Sequence, residues 1–134
     1  GQDEIMANYL NMVAQTMGRI EDEKTLRALM EYVEPQMRPI LEKGTGLNFS
    51  QNLYNIGTVY KIAGTKLNDE KYYTEAIRIF EHGMEVSPRR PLFLYGMFEL
   101  YYAKRDAQKT KEIGEIILKY YPQEQKIKEL LDKL

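Results

Sequence analysis

The chain has no cysteine, no tryptophan and a single histidine, His82, among its 134 residues. Without thiols there is no disulfide framework, no thiolate zinc site and no cysteine nucleophile, and cysteine usage says nothing about redox compartment. Long apolar runs are missing as well. No stretch approaches the roughly 20 residues that a bilayer crossing needs, and the N-terminus lacks a basic-then-apolar leader pattern, so direct membrane insertion by this segment is not expected. Strong charge of one sign is also absent: the formal net charge is -1, with 5 Lys/Arg against 8 Asp/Glu in residues 1–50 and 14 against 12 in residues 51–134. Neither half carries the basic footprint of a nucleic-acid binder, so no nucleic-acid partner is expected. The nine glycines are scattered and build no phosphate-cradling loop ahead of a helix, which argues against a nucleotide cofactor.

What is present is helical periodicity. Apolar residues recur at three-and-four spacing, as in Ile77, Phe80, Met84 and in Ile113, Ile116, Ile117, Tyr120, which marks amphipathic helices rather than strands. Turn chemistry interrupts the pattern at 18–22, 44–48, 64–68, 87–91, 105–106 and 122, giving an all-α chain of about seven helices. One domain of this length buries a core without staples. Asn48 with Gln51 three residues on reads as a capping box opening the third helix, and Asp106 as an N-cap for the sixth. Pro35 and Pro39 each cost about 3 kcal/mol inside a helix, so the second helix is expected to kink or break near Glu34.

Two helical hairpins close at prolines, Pro88 and Pro122, 34 residues apart, and such a period signals a repeat architecture. Leu53, Ile56, Gly57 and Tyr60 read large, large, small, aromatic, and Ala76, Phe80, Gly83 and Pro88 complete the unit. In these eight positions the chain resembles the tetratricopeptide repeat family. Gly57 and Ala76 fall where two helices would cross closely, with Tyr60 and Phe80 filling the adjoining groove. The match departs from the family in two places. Between Tyr60 and Ala76 lie seven residues more than the family spacing, enough for an extra turn on each helix or a longer loop. The next unit keeps Leu94, Met97 and Tyr101 but has Phe98 where a small residue belongs, followed by Thr110, Gly114 and Ile117. The resulting organisation is one helical-repeat domain over 1–134: a divergent N-terminal hairpin (1–47), two repeat-like units (48–88 and 89–122) and a capping helix (123–134). In that last helix Ile127, Leu130 and Leu131 share one face, as a solenoid end requires.

Catalytic chemistry is thinly represented. His82 has no second histidine or cysteine to support a metal site and no paired nucleophile, so it reads as a surface residue. Glu81 and Glu85 lie one turn apart but read as solvated, and no catalytic, cofactor or metal residue is assigned. Arg89 and Arg90 form a short basic step beside Pro91 that suits an acidic partner or headgroups, or merely solubilises a turn. The triplet Asn48-Phe49-Ser50 fits a glycosylation acceptor by spacing alone and carries no weight.

Eleven tyrosines are the compositional peculiarity, and tyrosine suits surfaces that are half apolar and half polar. The family resemblance implies a concave side lined by the first helix of each hairpin. That side would present Tyr54, Asn55, Thr58 and Lys61 from one unit and Tyr95, Glu99 and Tyr102 from the next. These seven residues are the candidate partner-binding face, with tyrosine supplying area and Lys61 and Glu99 supplying orientation. Relatives that clamp a peptide's terminal carboxylate use lysine and asparagine where this chain has Tyr54 and Thr58, so that ligand class is disfavoured. The expectation is a non-enzymatic interaction module for a protein or peptide segment, without cofactor. A narrower resemblance, of arrangement only, is to the soluble C-terminal repeat tails of bacterial O-antigen ligase or polymerase-like membrane proteins. It implies a scaffolding tail tethered to the bacterial inner membrane, with glycan transfer carried by a membrane region outside this segment. Gly1, which is not an initiator residue, fits such a fragment.

Overall fold

The computed structural model describes residues 2–46 and 48–134, with side chains from Glu4 onward. Gly1 and Leu47, the two ends of the expected first hairpin, lie outside the described residues. Among those described, seven helices and no strand are present: α1 (Gln2–Arg19), α2 (Glu23–Lys43), α3 (Phe49–Leu67), α4 (Glu70–Val86), α5 (Pro91–Ala103), α6 (Ala107–Tyr120) and α7 (Gln125–Asp132). The fold is all-α and helical-repeat-like.

Local chemistry explains most boundaries. Asp22 caps α2 by accepting from the Thr25 amide at 2.9 Å, Asp69 caps α4 through the Lys71 amide, and Asp106 caps α6 through the Lys109 amide at 3.0 Å. Each satisfies one of the amides a helix start leaves unpaired. Gly44 ends α2 in the left-handed region at φ 67, where a side chain would be strained. The seven additional residues between Tyr60 and Ala76 lengthen both helices rather than the loop. α3 runs 19 residues and α4 17, and only Asn68 and Asp69 separate them.

Two local expectations are corrected. Of the kink or break expected near Glu34, the break is absent: α2 runs as one helix through Pro35 and Pro39. Both prolines are exposed, as is Glu31 one turn earlier, so the carbonyls they leave unbonded face water. The opposite stripe, Leu26, Met30, Val33 and Met37, is fully buried and holds the helix against the core. Asn48 makes no side-chain cap. Gln51, its expected partner, instead donates to Asn55 at 3.1 Å and accepts from Arg90 at 2.5 Å, so the reciprocal box cannot close.

The hairpins α3–α4 and α5–α6 stack, with α5 lying against both α3 and α4. Phe80 of α4 is the wedge. Its ring occupies the space where a side chain at Gly57 of α3 or at Gly96 of α5 would stand, 2.4 and 2.9 Å from the two ideal Cβ positions. Phe93 of α5 fills the corresponding space over Gly83 of α4. Phe98, at the position where a small residue was expected, is buried and lies over Gly114 of α6, while Gly96, two residues earlier, supplies the small surface. Leu131 of α7 closes the other side of Gly114. α1 and α2 both rest on α3 far more than on one another. Lys66 holds the end of α1 by donating to the carbonyls of Met17, Gly18 and Ile20.

Candidate functional site

Helical spacing puts Tyr54, Asn55, Thr58 and Lys61 within two turns on one side of α3, and Tyr95, Glu99 and Tyr102 on one side of α5. Because α5 packs on α3, the two sides adjoin. Their clearest link is an ion pair between the Lys61 ammonium and the Glu99 carboxylate, 38 residues apart in sequence. The lysine side chain is only 15% exposed while the glutamate is 63% exposed, so the cation is recessed and covered by its partner. A pair this open contributes roughly 0–1 kcal/mol to stability. It does fix both side chains across the face.

The other five residues are also engaged. Tyr54 is half-buried, its ring 6.2 Å from Phe80 and 6.1 Å from Phe93, so it is the edge of the core wedge as well as surface. The Thr58 hydroxyl donates to the Tyr54 carbonyl at 2.8 Å. Asn55 accepts from Gln51 and donates to the Ala7 carbonyl of α1 at 3.3 Å. Tyr95 turns its hydroxyl to Glu124 at the start of α7; burial first, and that carboxylate second, push its pKa up to about 12. Tyr102 stacks on Phe98 at 6.2 Å with the rings 20° from parallel and is the most open of the three tyrosines. The structure therefore brings Lys61 and Glu99 together, ties Asn55 to α1 and Tyr95 to α7, and leaves Tyr102 and part of Tyr54 as accessible aromatic surface.

Elsewhere His82 is exposed, with Nδ1 3.7 Å from a Glu85 oxygen and the ring edge-on to Phe49 at 6.2 Å. Glu81 and Glu85 are exposed. Among the described residues no group of three or more His, Asp or Glu is placed to hold a metal ion, and no helix is long and apolar enough to cross a membrane. A cleft of about 480 Å3 lies over Tyr60 and is bordered by Glu34 and Arg38 of α2 and by Glu75 and Arg78 of α4. Sequence reasoning missed its central contact, the Tyr60 hydroxyl donating to Glu34 at 2.9 Å. Burial and that bond raise the Tyr60 pKa well above its ordinary value. Nothing in the sequence pairs residues 26 apart on different helices. Arg78 is taken up by Glu75, so the cleft is largely self-neutralised.

No family model matches the chain, and no curated protein and no solved structure matches it either.

Proposed function

We propose that the chain is a non-catalytic interaction module of tetratricopeptide-repeat type, whose α3–α5 face receives a segment of another polypeptide. The observation that carries this reading is the adjoining of the two helix faces, with accessible aromatic area at Tyr54 and Tyr102 on either side of the Lys61–Glu99 pair. Aromatic side chains provide contact area at low conformational cost, and a neutralised ion pair lets an incoming backbone bond to either member without burying an unpaired charge. The narrower reading, an accessory tail of a membrane glycan ligase, draws support from no feature of the folded chain.

Alanine at Tyr54 is a poor test, because it would also open the Phe80–Phe93 core. Thr58→Arg and Tyr102→Ala alter the face without emptying the interior. Site-specific photocrosslinkers at residues 58 and 102 should capture one shared partner, and the two substitutions should each weaken its binding. A crosslinker at Lys111, exposed on the outer side of α6, should not capture it. Equal capture from residue 111, or binding indifferent to both substitutions, would remove the face from consideration.

A further inference from the structure

The turn that ends α4 and the turn that ends α6 meet at one end of the molecule and enclose a groove of about 480 Å3. Its wall is Leu94, Tyr120 and Tyr121, its rim the prolines of the first turn, Pro88 and Pro91, and its polar groups are Arg89 and Arg90. None of these lining residues is acidic. Tyr120 is 64% and Tyr121 40% exposed, which places two of the chain's large exposed apolar side chains on one small concavity.

Arg90 is the informative residue. It is half-buried and held in place by neutral oxygens: Nη1 donates to the Ser50 hydroxyl at 3.0 Å and Nη2 to the Gln51 amide oxygen at 2.5 Å. Ser87 also donates to Ser50 at 3.0 Å, so the guanidinium sits in a hydrogen-bonded frame contributed by α3 and the α4–α5 turn. Arg27, Lys61, Arg78 and Lys104 are each matched to a carboxylate. The frame of Arg90 fixes its direction, and none of the carboxylates among the described side chains is paired with it. A preorganised, partly desolvated guanidinium is suited to a carboxylate, which it binds with a charge-assisted and directional contact.

We propose that this groove binds a short acidic peptide segment in which a carboxylate lies next to an apolar or aromatic side chain. The carboxylate meets Arg90, with Arg89 beside it, and the apolar side chain lies on Leu94 between the two tyrosine rings. Charge complementarity selects the acid and the concave aromatic wall selects its neighbour. An anionic membrane is a poorer fit, because the cation is recessed in a groove whereas headgroups form a broad surface that favours protruding lysines and arginines. This site lies at the turn-bearing end, away from Thr58 and Tyr102, and touches the α3–α5 face only at its near edge, through Gln51 beside Asn55 and Tyr121 beside Tyr95.

Fluorescence anisotropy with labelled hexapeptides would test it, each peptide carrying two carboxylates flanking one apolar residue, with an amide-for-acid set as control. The acidic set should bind and the amide set should not. Arg89→Glu and Tyr120→Ala, both on exposed side chains, should each weaken binding about fivefold or more, as expected for losing or reversing a contact of about 1 kcal/mol. Arg90→Lys keeps the charge but loses the fork, and should weaken binding while leaving the helical circular dichroism intact. Thr58→Arg on the α3–α5 face should leave this binding unchanged, which separates the two sites. Absence of binding by the acidic set, equal binding of the amide set, or indifference to Arg89→Glu would overturn the proposal. So would co-sedimentation with phosphatidylserine vesicles in the absence of peptide binding.

Discussion

Gly83→Ala is the substitution whose outcome the packing decides most sharply. A methyl group there would lie 2.2, 2.4 and 2.5 Å from three carbons of the Phe93 ring. Carbon atoms in contact normally stand about 3.5–4.0 Å apart, so the ring would have to retreat by more than an ångström. It has nowhere to go: Phe93 is fully buried, 6.4 Å from Phe80 and 6.1 Å from Tyr54. Helix propensity favours the alanine by about 1 kcal/mol. Overpacking a closed core costs about 1–3 kcal/mol, and the closeness of three contacts puts this site at the upper end, leaving a net loss of about 2 kcal/mol. In a chain of this size that lowers the melting temperature by roughly 8 °C. Phe93→Leu alone should cost about 1–2 kcal/mol through lost burial. In the double variant the shorter side chain makes room for the methyl, so the combined loss should fall about 2 kcal/mol short of the sum of the singles. Urea unfolding followed by far-ultraviolet circular dichroism, with the slope checked for two-state behaviour, measures all three. Additive losses, or a Gly83→Ala protein as stable as the parent, would refute the wedge.

Gly18, in the last turn of α1, has nothing within 4 Å of its ideal Cβ. Gly18→Ala should therefore stabilise the chain by about 0.5–1 kcal/mol in the same urea titration, the opposite sign to Gly83→Ala. Asn52 is buried with its side-chain oxygen unpartnered, so Asn52→Leu should raise stability by about 1 kcal/mol; a loss on calorimetric melting would show that the oxygen is satisfied after all. Tyr60 has its pKa raised by burial, and Tyr72 and Tyr101 shift the same way for the same leading reason. A group raised in the folded state stabilises fully below its unfolded value, here about 10, and loses that contribution as pH rises beyond it. Stability should hold to about pH 9 and decline steeply above 10, and Tyr60→Phe should flatten the decline in a pH series of urea midpoints.

Helix number, the Asp106 cap and the small–aromatic pairing of Gly57 with Phe80 were legible because each depends on residues close in sequence or on a repeating period. The continuity of α2 was not. Proline's local penalty is readable from sequence, but its exposure and the buried stripe that offsets it are tertiary facts. Asn48 makes no cap because its backbone, at φ -108 and ψ 24, lies outside the extended conformation of an N-cap, and the reciprocal half of the box was lost when Gln51 was claimed by Arg90, 39 residues away. The candidate face showed the same limit. Spacing grouped Lys61 with Tyr54 and Thr58, and Glu99 with Tyr95 and Tyr102, yet it could not show that Lys61 and Glu99 would meet and cancel. Nor could it show that Tyr95 would turn toward Glu124. Periodicity locates a side chain on its own helix; what that side chain touches depends on which helix arrives.

The dependence of α1 and α2 on α3, rather than on each other, bears on the order in which the chain can be assembled. During synthesis α1 and α2 emerge ahead of α3 with an apolar stripe on each and, among the described residues, few contacts with one another beyond Tyr9 with Tyr32 and Gln36. Their partners, Tyr60 for Glu34 and Lys66 for the end of α1, are translated later. Docking of the N-terminal third must wait for the central helix, so a nascent chain arrested before residue 67 should remain open to proteases and chaperones that the finished molecule excludes.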